Sequence, residues 1–234
     1  MTWRASPMAD SGGPAGHGSA KLGPAGRGPD RAGVAILAGL TLMCVGVELA
    51  LAAGDQGLLG SPRLRGWAYE HGAFWPGLLR DWQANYPGQA GAMFLTYAFL
   101  HGGLGHLALN MVTLWSLGLA TLERVGPWRF SAIYLGAAVG GAGVFGLLAQ
   151  SGQPMVGASG ALFGLAGALL AWMWEDQPTL RDALRLAGRA VLILLAINVA
   201  LHVLLAGQLA WQTHLGGFLA GWVLGIALDQ GPTR

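Results

Sequence analysis

Six stretches of this sequence, at about residues 33–53, 103–122, 129–149, 158–174, 188–206 and 212–228, are apolar over 17 to 21 residues each. A helix rises about 1.5 Å per residue, so each stretch is close to the length that crosses a hydrocarbon core of roughly 30 Å. A chain built this way folds as a bundle inside a bilayer. Composition agrees, because 53% hydrophobic and 10% charged residues in a chain of 234 is far too apolar for an ordinary soluble domain. The expected fold class is an all-α membrane protein with six transmembrane helices.

Between the segments the sequence changes character. Residues 1–32 are rich in Gly, Ala, Pro and Ser without an apolar period, which predicts a disordered tail before a helical domain over 33–228. No apolar core leading to an A-x-A site marks it as a cleaved signal peptide. The first loop, about 54–102, carries Trp67, Tyr69, Phe74, Trp75, Trp82 and Tyr86. Amphipathic rings favour the headgroup level, so short interfacial helices are expected there. Residues 229–234 form a short C-terminal tail.

Lys and Arg are distributed unevenly. Ten lie in the N-terminal tail, the 2–3 turn, the 4–5 loop and the C-terminus, against three in the first loop and none in the 3–4 and 5–6 connections. That bias predicts both termini on the cytoplasmic side and the long loop outside. With no organelle-targeting segment in view, a bacterial inner membrane is the expected location. The basic residues form no stripe with interleaved aromatics, so nucleic acid is not an expected partner. A lone Cys44 within an apolar run excludes an internal disulfide and a cysteine metal site.

In this topology segments 2, 4 and 6 all enter from the outer face, so their first turns share one depth. They bring His106 and Asn110, Ser159, and His214. His106 and Asn110, four apart, stack on one helix face and can aim donors at one oxygen. Ser159 opens its helix, where the first N–H groups lack intrahelical partners and the dipole favours negative charge. Gly160, Gly164 and Gly167 make a flat face beside it, and His214, Gly217 and Gly221 make a matching one. Two backbones meeting along those faces bring an imidazole to the Ser159 hydroxyl, enough to take its proton without an acidic third residue. Taken alone, Gly-x-Ser-Gly is equally a packing face in a glycine-rich membrane protein.

The three motifs together resemble the rhomboid family of intramembrane serine proteases. Residues 99–110 (FLHGGLGHLALN) resemble its second-helix signature, Gly157-Ala158-Ser159-Gly160 its nucleophile motif, and residues 214–221 (HLGGFLAG) its sixth-helix motif, in the family's order. The resemblance covers about residues 90–228. It implies a rhomboid-like bundle with a long outer first loop and an endopeptidase that cleaves transmembrane substrates near the outer membrane face. Ser159 would be the nucleophile, His214 the general base, and His106, Asn110 and the Ser159 N–H the oxyanion site. Gly157, Gly160, Phe163 and Gly217 would support them, with no metal or other cofactor. The expected partners are transmembrane protein substrates and the lipid bilayer. Polar groups at that depth imply a water-filled cavity lined by His106, Asn110, Ser159 and His214.

The sequence departs from the family pattern twice. Gly91 and Ala92 stand where many members carry a Trp-Arg pair in the first loop, and Phe163 stands where a tyrosine often lies one turn below the serine. Phe163 still offers a face to the His214 ring.

Other polar residues have local readings. His101 is expected to make a structural loop hydrogen bond, Glu48 to snorkel or bond a neighbouring helix, and Glu123 with Arg124 and Arg129 to pair within the 2–3 turn. His202 is the one rival base, without a glycine face to bring it near Ser159, and His17 lies in the tail. Two other functions suit such a bundle. A catalytically inactive rhomboid-like binder of membrane proteins would be favoured by loss of Ser159, His214 or Asn110, and all are present. A small transporter would show broken helices in corresponding halves, and none is visible.

Overall fold

The computed structural model of the chain describes residues 30–59, 62–150, 152–204 and 209–229, with the side chains of 200–204 excluded. The tail reading falls mostly on residues 1–29, and His17, the His202 side chain and residues 230–234 also lie outside the described residues. The elements are α1 (Arg31–Asp55), α2 (Leu64–Gly72), α3 (Gln89–Thr96), α4 (Leu104–Leu148), α5 (Ser159–Glu175), α6 (Leu180–Leu204) and α7 (Trp211–Leu228), with 3₁₀ turns at Pro76–Leu79 and Tyr97–Phe99.

The element α4 is two helices in one. Gly126 adopts φ 74°, ψ 176°, and Pro127 follows with no N–H to continue the ladder, so the chain reverses between arms of residues 104–125 and 127–148. A Cβ placed on Gly118 would meet Phe130 at 3.5 Å, a contact that twelve residues of straight helix would forbid. The two arms, α1, α5, α6 and α7 make the six-helix bundle. Among the described residues, α1 and α4 are long and apolar enough to span a bilayer outright, with mean hydropathies of 2.3 and 1.7.

At the centre lies α5. Its buried residues, including Gly160, Leu162, Leu165, Ala168 and Trp172, fall on every side, as expected for a helix enclosed by others. It packs against both arms of α4 and most closely against α7. Lipid is as apolar as leucine, so close backbone approach, rather than hydrophobic burial, holds such helices together. Outward-facing Leu42, Val112, Trp128, Leu147, Leu192 and Val223 supply the apolar exterior.

The aromatic first loop departs from an all-interfacial reading. Trp67 and Trp82 are exposed, but Phe74 is fully buried in a second core with Met93, Tyr97, Phe145 and Met155. Its backbone exchanges two hydrogen bonds with Met155, at 3.0 and 2.9 Å, which fastens the loop to the segment leading into α5. The Trp-Arg pair is also replaced by a different anchor. Arg65 on α2 reaches Glu48 on α1 through two bonds, 2.8 and 3.1 Å, and donates to the His101 carbonyl at 3.0 Å. Hydrogen bonding to Glu48 raises the Arg65 pKa further above its ordinary value.

Two local readings are corrected. Arg124 pairs across the bundle with Asp176 and Asp229, both at 2.9 Å, instead of within its own turn, because the reversal at Gly126 points it at the inner ends of α5 and α7. The His101 ring makes no hydrogen bond among the described residues. Its carbonyl carries the loop contacts instead, accepting from Arg65 and from the Tyr69 hydroxyl at 2.7 Å. Burial is the main cause of the raised Tyr69 pKa.

Candidate active site

The segment before α5 is held from both sides. Gly157 N–H donates to the Tyr97 carbonyl at 3.0 Å, and the Tyr97 hydroxyl donates to the Ala138 carbonyl at 2.9 Å. Gly157 has φ 122°, a conformation that side chains rarely adopt, and the turn it makes delivers Ser159 as the first residue of α5. The Thr213 hydroxyl bonds the Met155 sulfur, which ties the start of α7 to the same segment.

Glycines then set the distance between α5 and α7. A Cβ on Gly217 would lie 2.0 Å from the Gly160 carbonyl oxygen, and one on Gly221 would lie 1.9 Å from that of Gly164. No side chain fits between these backbones. The contact leaves the Ser159 hydroxyl 2.9 Å from His214 Nε2, across helices 55 residues apart in sequence. His214 is 4% exposed, and its ring stacks on Phe163 with centroids 4.1 Å apart and planes within 6°. The benzyl face thus takes the position under the imidazole without a phenolic hydrogen bond.

His106 and Asn110 lie near the start of α4, with His106 beside the Gly157 turn. His106 Nδ1 accepts from the Gly102 N–H at 3.3 Å, so in the neutral ring the proton resides on Nε2. That nitrogen faces Gly157: a Cβ there would meet His106 Cε1 at 2.7 Å and Nε2 at 2.9 Å. Glycine at 157 therefore leaves open the space between the imidazole N–H and the backbone leading to the serine. Asn110 is 4% exposed and donates one amide hydrogen to the His106 carbonyl at 2.8 Å, leaving its second hydrogen for another acceptor. The Ser159 N–H, in the first turn of α5, has no intrahelical partner.

One neighbour was missed by sequence reasoning. Asn198 on α6 places Oδ1 2.7 Å from His214 Nδ1. Its sequence signal was faint: an amide in an apolar helix at the outer depth, overshadowed by His202 one turn on.

A cavity distinct from the expected polar one lies beside the site. It measures about 650 Å³ and lies between α6 and α7, lined mostly by apolar side chains such as Val191, Leu195, Leu215 and Phe218, with His214 and Asn198 as polar contributors. Ser159, His106 and Asn110 lie outside its lining. The cavity follows from the packing of α6, which touches chiefly α5 and meets α7 at the Asn198–His214 contact, so the gap falls between two lipid-facing helix surfaces.

Comparison with known proteins gives a consistent picture. The chain is 35% identical to RHOMBOID-like protein 5 of Arabidopsis thaliana over 56% of this chain and 41% of the relative. It is 35% identical to rhomboid protease GluP of Bacillus subtilis over 57% and 25%, and 30% identical to rhomboid-type serine protease 2 of Emericella nidulans over 59% and 27%. The chain thus aligns with less than half the length of each of these relatives. The Rhomboid domain family matches residues 89–230, which takes in α3 to α7 and every residue of the cluster just described, and the chain belongs to the rhomboid family of integral membrane proteins.

Proposed function

We propose that this protein is an intramembrane serine endopeptidase that cuts transmembrane segments of other membrane proteins near the outer face. The observation that carries the reading is the 2.9 Å contact between Ser159 Oγ and His214 Nε2 at the head of two helices locked by glycine. Two relatives named as proteases support it.

Ser159 attacks the scissile carbonyl while His214 takes its proton. The negative charge that develops on the carbonyl oxygen is met by His106 Nε2–H, the free Asn110 amide hydrogen and the Ser159 N–H, donors fixed before the reaction begins. His214 then gives its proton to the leaving amine, and the acyl-enzyme forms. Water, deprotonated by the same imidazole, releases the product and restores the serine. Both termini face the cytoplasm, the site opens to the outer side, and the host membrane is a bacterial inner membrane; the positive charge distribution supports this placement.

Labelling of the detergent-solubilised full chain with a fluorophosphonate probe tests the reading. Wild type is expected to label, Ser159→Ala and His214→Ala are not, and Asn110→Ala is expected to label roughly 10²–10³ times more slowly, as loss of one oxyanion donor does elsewhere. Failure of wild type beside a labelled rhomboid protease would overturn the reading in favour of a catalytically inactive binder of membrane proteins.

A further inference from the structure

We infer that Asn198 is the positioning residue of a Ser159–His214–Asn198 triad, holding the imidazole in the one tautomer and orientation that can accept the serine proton. The inference rests on the protease reading for its catalytic meaning and on the hydrogen-bond network for its geometry.

The Asn198 amide has a defined orientation. Its Nδ2 donates to the Leu194 carbonyl at 2.9 Å, and a carbonyl can only accept, so Oδ1 is the atom turned to His214. Oδ1 can likewise only accept. The 2.7 Å contact therefore requires a proton on His214 Nδ1, which leaves the Nε2 lone pair facing the Ser159 hydroxyl at 2.9 Å. The chain of bonds has one direction: serine O–H to Nε2, Nδ1–H to Asn198 Oδ1, Nδ2–H to Leu194.

Stacking on Phe163 does not achieve this. It fixes the plane of the ring, but a half-turn within that plane's stack exchanges the nitrogen and carbon edges at no cost to the aromatic contact. A neutral imidazole also divides its proton between two nitrogens, and with the proton on Nε2 it cannot accept from serine. Asn198 removes both alternatives. Once His214 holds the serine proton, Nδ1–H keeps an acceptor in a place that water does not easily reach. A neutral amide does this without burying a carboxylate in the bilayer, as asparagine does in cysteine proteases of unrelated fold. The third member comes from α6, the helix that touches chiefly α5, so the position of that helix sets the readiness of the base.

The test has two readouts on the full chain in detergent. Fluorophosphonate labelling at pH 7 is expected to be about 10- to 100-fold slower in Asn198→Leu, a near-isosteric change, as for other hydrogen bonds that fix an imidazole through its second nitrogen. Asn198→Asp keeps the acceptor and is expected to recover to within about threefold of wild type. Helix packing alone would favour the leucine and penalise the aspartate. Where the leucine variant does not fold, Asn198→Ala carries the same expectation. The second readout is ¹⁵N NMR of histidine-labelled protein, with the His214 signals assigned by their loss in His214→Gln. Wild type is expected to show protonated Nδ1 and bare Nε2, and Asn198→Leu a mixture. Wild-type labelling rates in Asn198→Leu, or a wild-type proton on Nε2, would overturn the inference. A wild type that never labels but shows the Nδ1 tautomer would overturn the protease reading while upholding the network.

Discussion

His101 is fully buried in the loop before α4, and neither of its ring nitrogens has a hydrogen-bond partner among the described residues. Burial first, and the neighbouring His106 second, push its pKa down to about 4 from an ordinary 6.5. An unfolded chain would bind a proton there between pH 6.5 and about 4 while the folded chain would not, so the unfolded state gains as the pH falls through that window. Stability is complete above pH 6.5, and its slope in the window approaches about 1.4 kcal/mol per pH unit from this one group. Thermal melting of the protein in detergent between pH 7.5 and 4.5 measures it. His101→Phe, which keeps a ring edge-on to His106 and leaves no unpaired nitrogen, is expected to melt with a shallower pH dependence than wild type. An identical dependence in the variant would show that His101 is solvated in the fold. At this scale the sequence revealed the residues whose types are rare in lipid, namely Ser159, His106, Asn110 and His214. It concealed Asn198, because one amide in an apolar helix carries no mark of the partner it meets 16 residues later. It also misdirected the reading of His101, where the polar contact belongs to the backbone.

At the scale of elements, spacing carried more information. Glycines at three- and four-residue intervals marked the facing surfaces of α5 and α7, and the distances that a Cβ would have there show why nothing larger is present. Gly221→Ala would put a carbon 1.9 Å from the Gly164 carbonyl oxygen and 2.4 Å from its Cα. Neither atom belongs to a flexible side chain, so α7 must shift as a body, at a cost of about 1–3 kcal/mol or more. His214 lies two turns away on the same rigid helix, and displacement of about 1 Å is expected to slow fluorophosphonate labelling of Ser159 by roughly 10²-fold. By spacing alone, Gly143 belongs with Gly136 and Gly140 as a packing position. The structure separates them: a Cβ on Gly140 would meet that of Ala220 at 2.5 Å, whereas a Cβ on Gly143 would meet nothing within 4 Å. Gly143→Ala is accordingly expected to melt and label like wild type. Equal behaviour of the two alanine variants would refute the close-packed α5–α7 interface. Periodicity announces a small-residue face, but which of its members meets a backbone depends on helix rotation, and that is settled only when all the helices are assembled.

At the scale of the whole molecule, two arginines clasp the bundle at opposite ends, and neither clasp was visible in sequence because each joins residues far apart. At the inner end Arg124 binds Asp176, 49% exposed, and Asp229, 11% exposed. Pairs with that much access to water contribute little each, about 0–1 kcal/mol for the more exposed one. The outer clasp is different, because Glu48 has no exposure at all and both of its oxygens bond the Arg65 guanidinium, whose side chain is 22% exposed. Removing only the arginine strands a carboxylate inside the bundle, a defect that costs about 3–5 kcal/mol where it has been measured, and it also leaves the His101 carbonyl to the Tyr69 hydroxyl alone. Replacing both Glu48 and Arg65 with apolar residues strands no buried charge, because Asp55, which Arg65 also binds at 2.7 Å, is 37% exposed. Arg65→Leu is therefore expected to lower the melting temperature well below that of Arg124→Leu, and Glu48→Leu/Arg65→Leu to regain most of the loss. The double variant need not regain activity, since the His101 carbonyl loses its bond from Arg65 in both. A single variant as stable as wild type would mean that water reaches Glu48. A double variant no better than the single would mean that the clasp acts through the loop carbonyl and not through the buried charge.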